Sequence, residues 1–323
     1  MEITEVKEQA DKICENISKV LIGREKEIRV ILAALYAGGH VLVEDRPGTG
    51  KTLLAKTFAK SIGGQFKRVQ FTPDLMPSDI TGLSIYNRKS EDFVLVKGPV
   101  FTNILLADEI NRATPKTQSA LLEAMQEKTV TVGNHTYELP KPYMVLATQN
   151  PIENEGTYPL PEAQLDRFLF KLLIEFPSLE ELKQIMHLTV EGQQEQIQQV
   201  LTAGDLMEMR QVVRDIPVSA AVEEYALALV IGTHPDSEYA VKEVKQYVLE
   251  GASPRAAQAI LLTAKARALL DGRYNVSFDD IDDVAKAALR HRLALNFDAL
   301  SENIVADTII AALQEALNGR KTV

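Results

Sequence analysis

The chain has 323 residues, enough for roughly two domains of about 150 each, and its hydrophobic share of 46% supports a buried core. Its net charge of −10 argues against a broad electrostatic footprint for nucleic acid. One cysteine, Cys14, excludes an internal disulfide and fits a reducing compartment; it reads as a small apolar-face residue of the first helix. No apolar run approaches the ~18 residues that span a bilayer. The first residues, MEITEVKEQADKICENI, are amphipathic and charged, unlike a signal peptide. A soluble, cytoplasmic protein without membrane insertion is expected.

In chain order, residues 2–19 read as an amphipathic helix, residues 20–25 as a short apolar turn, and residues 26–37 as a second helix. The segment Val41-Leu-Val-Glu-Asp-Arg-Pro-Gly-Thr-Gly-Lys-Thr52 follows. It reads as a buried strand over 40–44, a glycine loop, and a helix over 51–61. That order holds a nucleotide triphosphate: loop N–H groups point at phosphate oxygens, and the helix offers its positive amino terminus. Lys51 is expected to reach the β and γ phosphates and Thr52 to ligate Mg²⁺. The general pattern places Gly five positions before Gly50, where this chain has Asp45.

Residues 66–71 form the next strand candidate, and residues 80–100 read as a hairpin with a loop. Asn103-Ile-Leu-Leu-Ala107 is a continuous apolar run ending in Asp108-Glu109, as in a fully buried parallel strand. A helix over 116–126 precedes a second hairpin, Thr129-Val-Thr-Val132 and Thr136-Tyr-Glu-Leu139 about a Gly133-Asn134 turn. Strands over 143–148 and 170–175 flank Gln164-Leu-Asp-Arg-Phe168, on or beside a short helix. Strands alternating with helices imply an α/β fold with a mostly parallel sheet. After Pro177 the character changes. Ser178-Leu-Glu-Glu181 is a capping box, the glutamine-rich stretch 193–199 reads as a solvated helix end or linker, and only helical periodicity continues to the end. Ser219 and Ser277 read as N-caps, and Ser253-Pro254-Arg255 as a cap with Pro in the first turn. The expected division is a nucleotide-binding core over 1–177, a linker helix region over 178–204 and an all-α lid over 205–323.

Asp108, at the carboxyl end of a buried strand, can hold Mg²⁺ through water or Thr52. Glu109 beside it can act as general base on the attacking water. Ala147-Thr-Gln-Asn-Pro151 ends another strand, where Asn150 can set its amide against the γ-phosphate or the lytic water, or simply open a turn. Arg167 and Arg255 can stabilise phosphoryl charge. Taken alone, either reads first as an ordinary ion-pair partner, with Asp166 one candidate for Arg167. The histidines show no metal-ligand spacing, and His135 sits at a hairpin tip.

The set Pro-Gly-Thr-Gly-Lys-Thr52, Ala-Asp-Glu-Ile-Asn-Arg-Ala113, Gln-Ser-Ala-Leu-Leu-Glu-Ala-Met-Gln-Glu127, Ala-Thr-Gln-Asn-Pro151 and Leu-Pro-Glu-Ala-Gln-Leu-Asp-Arg-Phe168 resembles the MoxR family of AAA+ ATPases. The resemblance continues through Gly251-Ala-Ser-Pro-Arg255 and Leu289-Arg-His-Arg-Leu293, so it covers nearly the whole chain. The run from Asp108 to Glu127 is highly specific, whereas the glycine loop would fit many ATPases. The resemblance implies a P-loop AAA+ core followed by an all-α lid. It implies ATP and Mg²⁺ as ligands, held by Pro47, Gly48, Thr49, Gly50, Lys51, Thr52 and Leu53. Asp108 and Glu109 resemble Walker B, Asn150 sensor 1, and Arg167 an arginine finger acting on the next subunit. Arg255 resembles sensor 2 acting in its own subunit, and Ile22 and Gly23 lie in the segment that packs near adenine. The hairpins near 80–100 and 127–142 resemble insertions that face a ring pore and can engage a client.

Relatives often tolerate Asp where Asp45 stands, but usually carry a small apolar residue where this chain has Arg46, read first as solvent-exposed. The chain has no Asp-x-Ser-x-Ser metal-adhesion motif of its own; MoxR relatives often work beside a separate von Willebrand A domain protein. The expected function is an ATP-hydrolysing homo-oligomer, a hexameric ring, that remodels or activates a protein client. A nucleic-acid-stimulated motor is the alternative, since related clades include helicases. The acidic balance speaks against it, and so do the few basic residues of the second hairpin, with Lys128 and Lys141 only flanking. A nucleotide-gated module that hardly hydrolyses is disfavoured because every expected catalytic residue is present.

Overall fold

The structure, a computed structural model of the chain, describes residues 2–44, 50–89, 91–150, 156–190 and 197–320. It begins with helices α1 (Ile3–Ser18) and α2 (Glu25–Ala37), then strand β1 (Val41–Glu44), helix α3 (Lys51–Ser61) and strand β2 (Phe66–Gln70). Helix α4 (Pro77–Thr81) leads into the ribbon β3 (Gly82–Asn87) and β4 (Asp92–Lys97). Strand β5 (Ile104–Asp108), helix α5 (Pro115–Glu127), a second ribbon of β6 (Thr129–Val132) and β7 (His135–Glu138), strand β8 (Met144–Gln149), helix α6 (Glu162–Leu165) and strand β9 (Phe170–Leu173) complete the α/β part.

The sheet runs β2-β5-β8-β1-β9, and every pairing in it is parallel. Successive strand residues face opposite sides. Val41, Val43, Ile104, Leu106, Leu146 and Phe170 join an apolar cluster with α1, α2 and α3. Leu42, Leu105, Ala107, Val145 and Ala147 join a second cluster, with Leu121, Leu122 and Met125 of α5. All five residues of β5 are buried, which is why that strand reads as an uninterrupted apolar run.

The β3–β4 ribbon is different. Leu83, Ile85, Tyr86, Phe93, Val94 and Val96 are exposed, Phe93 to 66%, and the Tyr86 and Phe93 rings meet edge-on at 5.5 Å. Both faces of this insertion carry large side chains into solvent.

Helix α7 (Leu179–Val190) opens on the expected capping box: Ser178 N–H donates to Glu181 Oε2 at 2.6 Å, and Glu181 N–H to Ser178 Oγ. Most of the glutamine-rich linker lies outside the described residues. The lid comprises α8 (Ala203–Asp215), α9 (Ala220–Ile231), α10 (Lys242–Tyr247), α11 (Pro254–Leu270), α12 (Phe278–Leu289), α13 (Phe297–Ser301) and α14 (Ala306–Leu317). Ser219, Ser253 and Ser277 each cap a helix through the side-chain oxygen. The lid is not purely helical, however. Strands β10 (Val248–Glu250) and β11 (Ala294–Leu295) pair antiparallel. Strands of three and two residues are too short to show a period, so helical patterning on either side hid them. Lid residues such as Ala264, Leu269 and Ile281 belong to the same apolar cluster as α1 and α2. The lid is therefore packed into the core along one sheet face. No helix among the described residues is long and apolar enough to cross a membrane.

Candidate functional site

The carboxyl ends of β1, β5 and β8 gather most of the expected residues. Helix α3 starts at Lys51, with Gly50 as N-cap at φ 89°. That left-handed angle suits Gly, and Gly50 has no side chain with which to satisfy the helix's first N–H groups, which remain suited to an anion. Thr52 and the 43%-exposed Leu53 follow on the first turn. Pro47, Gly48 and Thr49, with Asp45 and Arg46, lie outside the described residues.

Asp108 ends β5, and Thr148 on the adjacent strand organises it. The Thr148 hydroxyl donates to Asp108 Oδ1 at 2.6 Å and accepts from the Glu109 N–H at 2.8 Å. One hydroxyl thus uses its donor and a lone pair to fix both acidic residues. Asp108 Oδ2 accepts from Arg68 Nη2 at 2.6 Å and Nε at 3.1 Å. Glu109 sits at φ 56°, an angle costly for a residue with a side chain and most frequent at functional sites. Its Oε2 accepts from Gln70 Nε2 at 2.7 Å and Arg112 Nη1 at 2.9 Å. Asn150 is buried just past β8. Thr148, Arg68, Gln70 and Arg112 were not singled out in the sequence. Thr148 lies inside the Ala-Thr-Gln-Asn-Pro motif, which could have flagged it; Arg68 and Gln70 reach the site only because β2 pairs with β5.

Ile22 and Gly23 form the turn before α2. Gly23 has φ 70°, and a Cβ there would overlap the Glu181 carboxylate. Leu21 in the same turn lies against Gly50, so the turn borders the glycine loop's end. Beside it opens a cleft of about 760 Å³ lined by Gly23, Arg24, Leu172, Phe176 and Glu181, a volume within the range of small-molecule sites.

Arg167 and Arg255 lie elsewhere. They share a cleft of about 270 Å³ with Gly39 and His40, at the amino end of β1. Lys51 follows the carboxyl end of that strand, and its four residues span about 13 Å. The structure therefore brings the two arginines together and sets both apart from Lys51. Arg167 is exposed, and Asp166 pairs not with it but with Arg292 at 2.8 Å and Arg255 at 3.6 Å, while also accepting from Ser253 Oγ.

The Leu289-Arg-His-Arg-Leu293 run explains how this edge is held. Arg290 donates to Lys171 O at 3.1 Å and pairs with Asp307 at 2.7 Å. His291 Nε2 donates to Phe168 O at 3.0 Å, and Arg292 donates to the carbonyls of Asp166, Phe168, Leu169 and Ala288. Three consecutive lid residues thus clasp the segment that carries Arg167. Arg292 is 9% exposed, and Arg292→Ala would leave Asp166 and those carbonyls under-bonded. Removing one partner of such a buried pair is expected to cost about 3–5 kcal/mol, read as a lowered midpoint in chemical denaturation.

His40 is buried at the same edge. Its Nδ1 accepts from the Val145 N–H at 2.9 Å, so Nε2 carries the proton donated to Met125 O at 3.0 Å. Burial lowers its pKa from 6.5 to about 4, and burial also holds His291 well below the ordinary value. The unfolded chain takes up a proton near pH 6.5 that the folded chain refuses until about pH 4. Stability is therefore full above 6.5 and falls as pH drops through that window. His40 alone is expected to account for about 2 kcal/mol between pH 7 and 5, and His40→Asn should flatten the pH dependence of the unfolding midpoint.

Comparison with known proteins bears on this arrangement. The family model described as ATPases associated with various cellular activities (AAA) matches residues 40–170, and an AAA lid domain model matches residues 242–313. The chaperone MoxR1 of Mycobacterium tuberculosis is 44% identical over 91% of this chain and 78% of its own length. The uncharacterised YeaC of Bacillus subtilis is 46% identical over 95% of this chain and 93% of its own. The chain belongs to the MoxR family of AAA ATPases. A crystal structure of a candidate ATPase from Cytophaga hutchinsonii agrees with a TM-score of 0.92 at 41% identity, covering 98% of this chain and 96% of that one. The AAA match takes in the sheet as far as the first residue of β9, with its Asp108 and Glu109 corner, and the lid match takes in α10 to α13 and most of α14. Membership in an ATPase family implies nucleotide binding and ATP hydrolysis.

Proposed function

We propose that the chain binds ATP with Mg²⁺ and hydrolyses it at sites shared between neighbouring subunits of a homo-oligomeric ring, a hexamer, to remodel a protein client. The observation that carries this reading is the separation within one sheet. Lys51, Asp108 and Glu109 stand at the carboxyl edge, whereas Arg167 and Arg255 stand together at the amino edge. One chain then holds two half-sites, and head-to-tail contact completes them around a ring. This replaces the expectation that Arg255 serves its own subunit: both arginines serve the neighbour's nucleotide.

The donor set fits the ligands. A carboxylate and a hydroxyl, Asp108 and Thr52, are hard oxygen donors of the kind Mg²⁺ takes. Asp108 already holds a cationic partner in Arg68, whose charge Mg²⁺ would replace. When bound, Mg²⁺·ATP supplies the electrophilic phosphoryl group. Lys51 and the N–H groups at the start of α3 hold phosphate oxygens, and the turn at Ile22–Gly23 borders the base. Glu109 takes the proton of the attacking water. Both of its hydrogen bonds fall on Oε2, which leaves Oε1 for that proton. Asn150 orients the water or the γ-phosphate, and Arg167 and Arg255 meet the charge that develops.

Two things support a protein client. The relative MoxR1 is named a chaperone, and the β3–β4 ribbon exposes a large apolar surface. A separate von Willebrand A domain protein is the partner we propose. Mg²⁺-dependent phosphate release from ATP tests the reading. Lys51→Ala should lower nucleotide affinity at least tenfold and abolish turnover; wild-type turnover in that variant would refute the assigned site.

A further inference from the structure

A second basic hollow lies beside the arginine cleft and takes no part in the hydrolysis described above. It measures about 170 Å³, and its charged lining is Lys128, Lys141, Arg210 and Arg214, with no carboxylate in the wall among the described residues. On a chain with a net charge of −10, such a concentration of cations focuses the field locally. Arg210 and Arg214 are one turn apart on α8, facing the loops that end α5 and follow β7. Arg210 is fixed by donating Nε to Leu35 O at 3.0 Å, yet its buried Nη2 has no partner among the described residues. Tyr143, 2% exposed, also lines the hollow, and its hydroxyl likewise has none.

Neighbouring acids neutralise only part of the cluster. Glu138 pairs with Lys141 at 3.1 Å, while Asp215 accepts from Gln211 at 3.3 Å and pairs with none of the four cations among the described residues. Lys128 holds a left-handed backbone, φ 56°, at the end of α5, a position that Gly or Asn fills more easily. Burial, and then the charges of Arg210, Arg214 and Lys141, push its pKa down. Four cations held near one another repel, and a bound polyanion relieves that repulsion. The exposed guanidinium fork of Arg214 suits phosphate oxygens, Arg210 adds its charge from the wall, and Leu139 and Leu262 are apolar.

We propose that this hollow is a second anion site, distinct from the nucleotide loop, that takes the di- or triphosphate group of a small molecule. The same chemistry is offered by free pyrophosphate and by the phosphate tail of a nucleotide. The hollow shares Gly38, Lys128 and Leu262 with the cleft of Arg167 and Arg255, so an occupant would sit beside the groups that meet the neighbouring subunit.

Calorimetric titration of the full-length Lys51→Ala protein tests this site, because the nucleotide loop is then weakened at least tenfold and the binding that the double variant below loses belongs to the hollow. Pyrophosphate should bind with one-to-one stoichiometry and weaken as salt is raised. The double variant Arg214→Gln/Lys141→Gln in the same background should bind at least tenfold more weakly with an unchanged melting temperature, since both side chains are exposed. A parallel titration with ADP divides the sources. Binding at least as tight as pyrophosphate supports the site with a nucleotide tail as occupant; weaker binding supports it with the free anion. Absence of saturable pyrophosphate binding, or undiminished binding in the double variant, would overturn the proposal. A change in oligomer mass on double substitution without pyrophosphate binding would make the hollow a subunit contact and would overturn it equally.

Discussion

Arg167→Ala is expected to lower ATP turnover by about a thousandfold or more, the range seen when a charge-stabilising arginine is lost in phosphoryl transfer. Nucleotide affinity should change little, because Arg167 is proposed to meet charge that develops only during phosphoryl transfer. The side chain is exposed and makes no hydrogen bond or ion pair among the described residues, so the melting temperature should not move. Steady-state turnover, nucleotide titration and thermal unfolding on one preparation separate the roles. A stability loss parallel to the activity loss would make Arg167 structural. Unchanged turnover would remove it from the reaction.

Glu109→Gln is expected to slow hydrolysis roughly a hundredfold to ten-thousandfold, the usual contribution of a general base. The isosteric amide keeps a carbonyl oxygen that can accept from Gln70 and Arg112, so the left-handed turn at this residue should survive. ATP should then bind and persist. Rapid quench after mixing with labelled ATP measures this, with bound nucleotide remaining mostly triphosphate over many wild-type turnover times. Rapid conversion to ADP would mean that another group activates the water.

The sheet was legible because it obeys two simple patterns. Strands buried on both faces give apolar runs, as at residues 104–108, and glycine or acidic residues punctuate their carboxyl ends. The same patterning located Lys51, Asp108 and Glu109. Four features were not legible, and each depends on contacts distant in sequence. Arg68 and Gln70 reach Asp108 and Glu109 because β2 pairs with β5 in the register Gln70 with Asp108; nothing in a strand's own residues names its neighbour. The Arg290, His291 and Arg292 clasp spans more than a hundred residues to the Arg167 segment, so the motif was visible and its role was not. The position of Arg255 follows from how the lid packs along the α1 and α2 face, which helical periodicity alone does not encode. His40, likewise, reads as an unremarkable residue before a strand, although burial makes it a source of acid sensitivity.

The clasp has a consequence for the proposed ring. Asp166, next to Arg167, is bonded by Arg292, Ser253 and Arg255, all from the lid. In the ring proposed above, a shift of the lid would drag on the segment that bears the arginine, and one subunit's lid posture would reach the site proposed to be completed on its neighbour.

The claim that each site is shared between two chains is tested most directly by mixing two inactive proteins. Arg167→Ala retains Lys51 and Glu109, and Glu109→Gln retains Arg167. Co-assembled in equal amounts, they place an intact Arg167 opposite an intact Glu109 at about a quarter of the contacts of a head-to-tail ring. ATP turnover in the mixture should rise well above either protein alone, towards that fraction of wild type. A mixture no more active than its components, despite demonstrated co-assembly, would contradict the shared site.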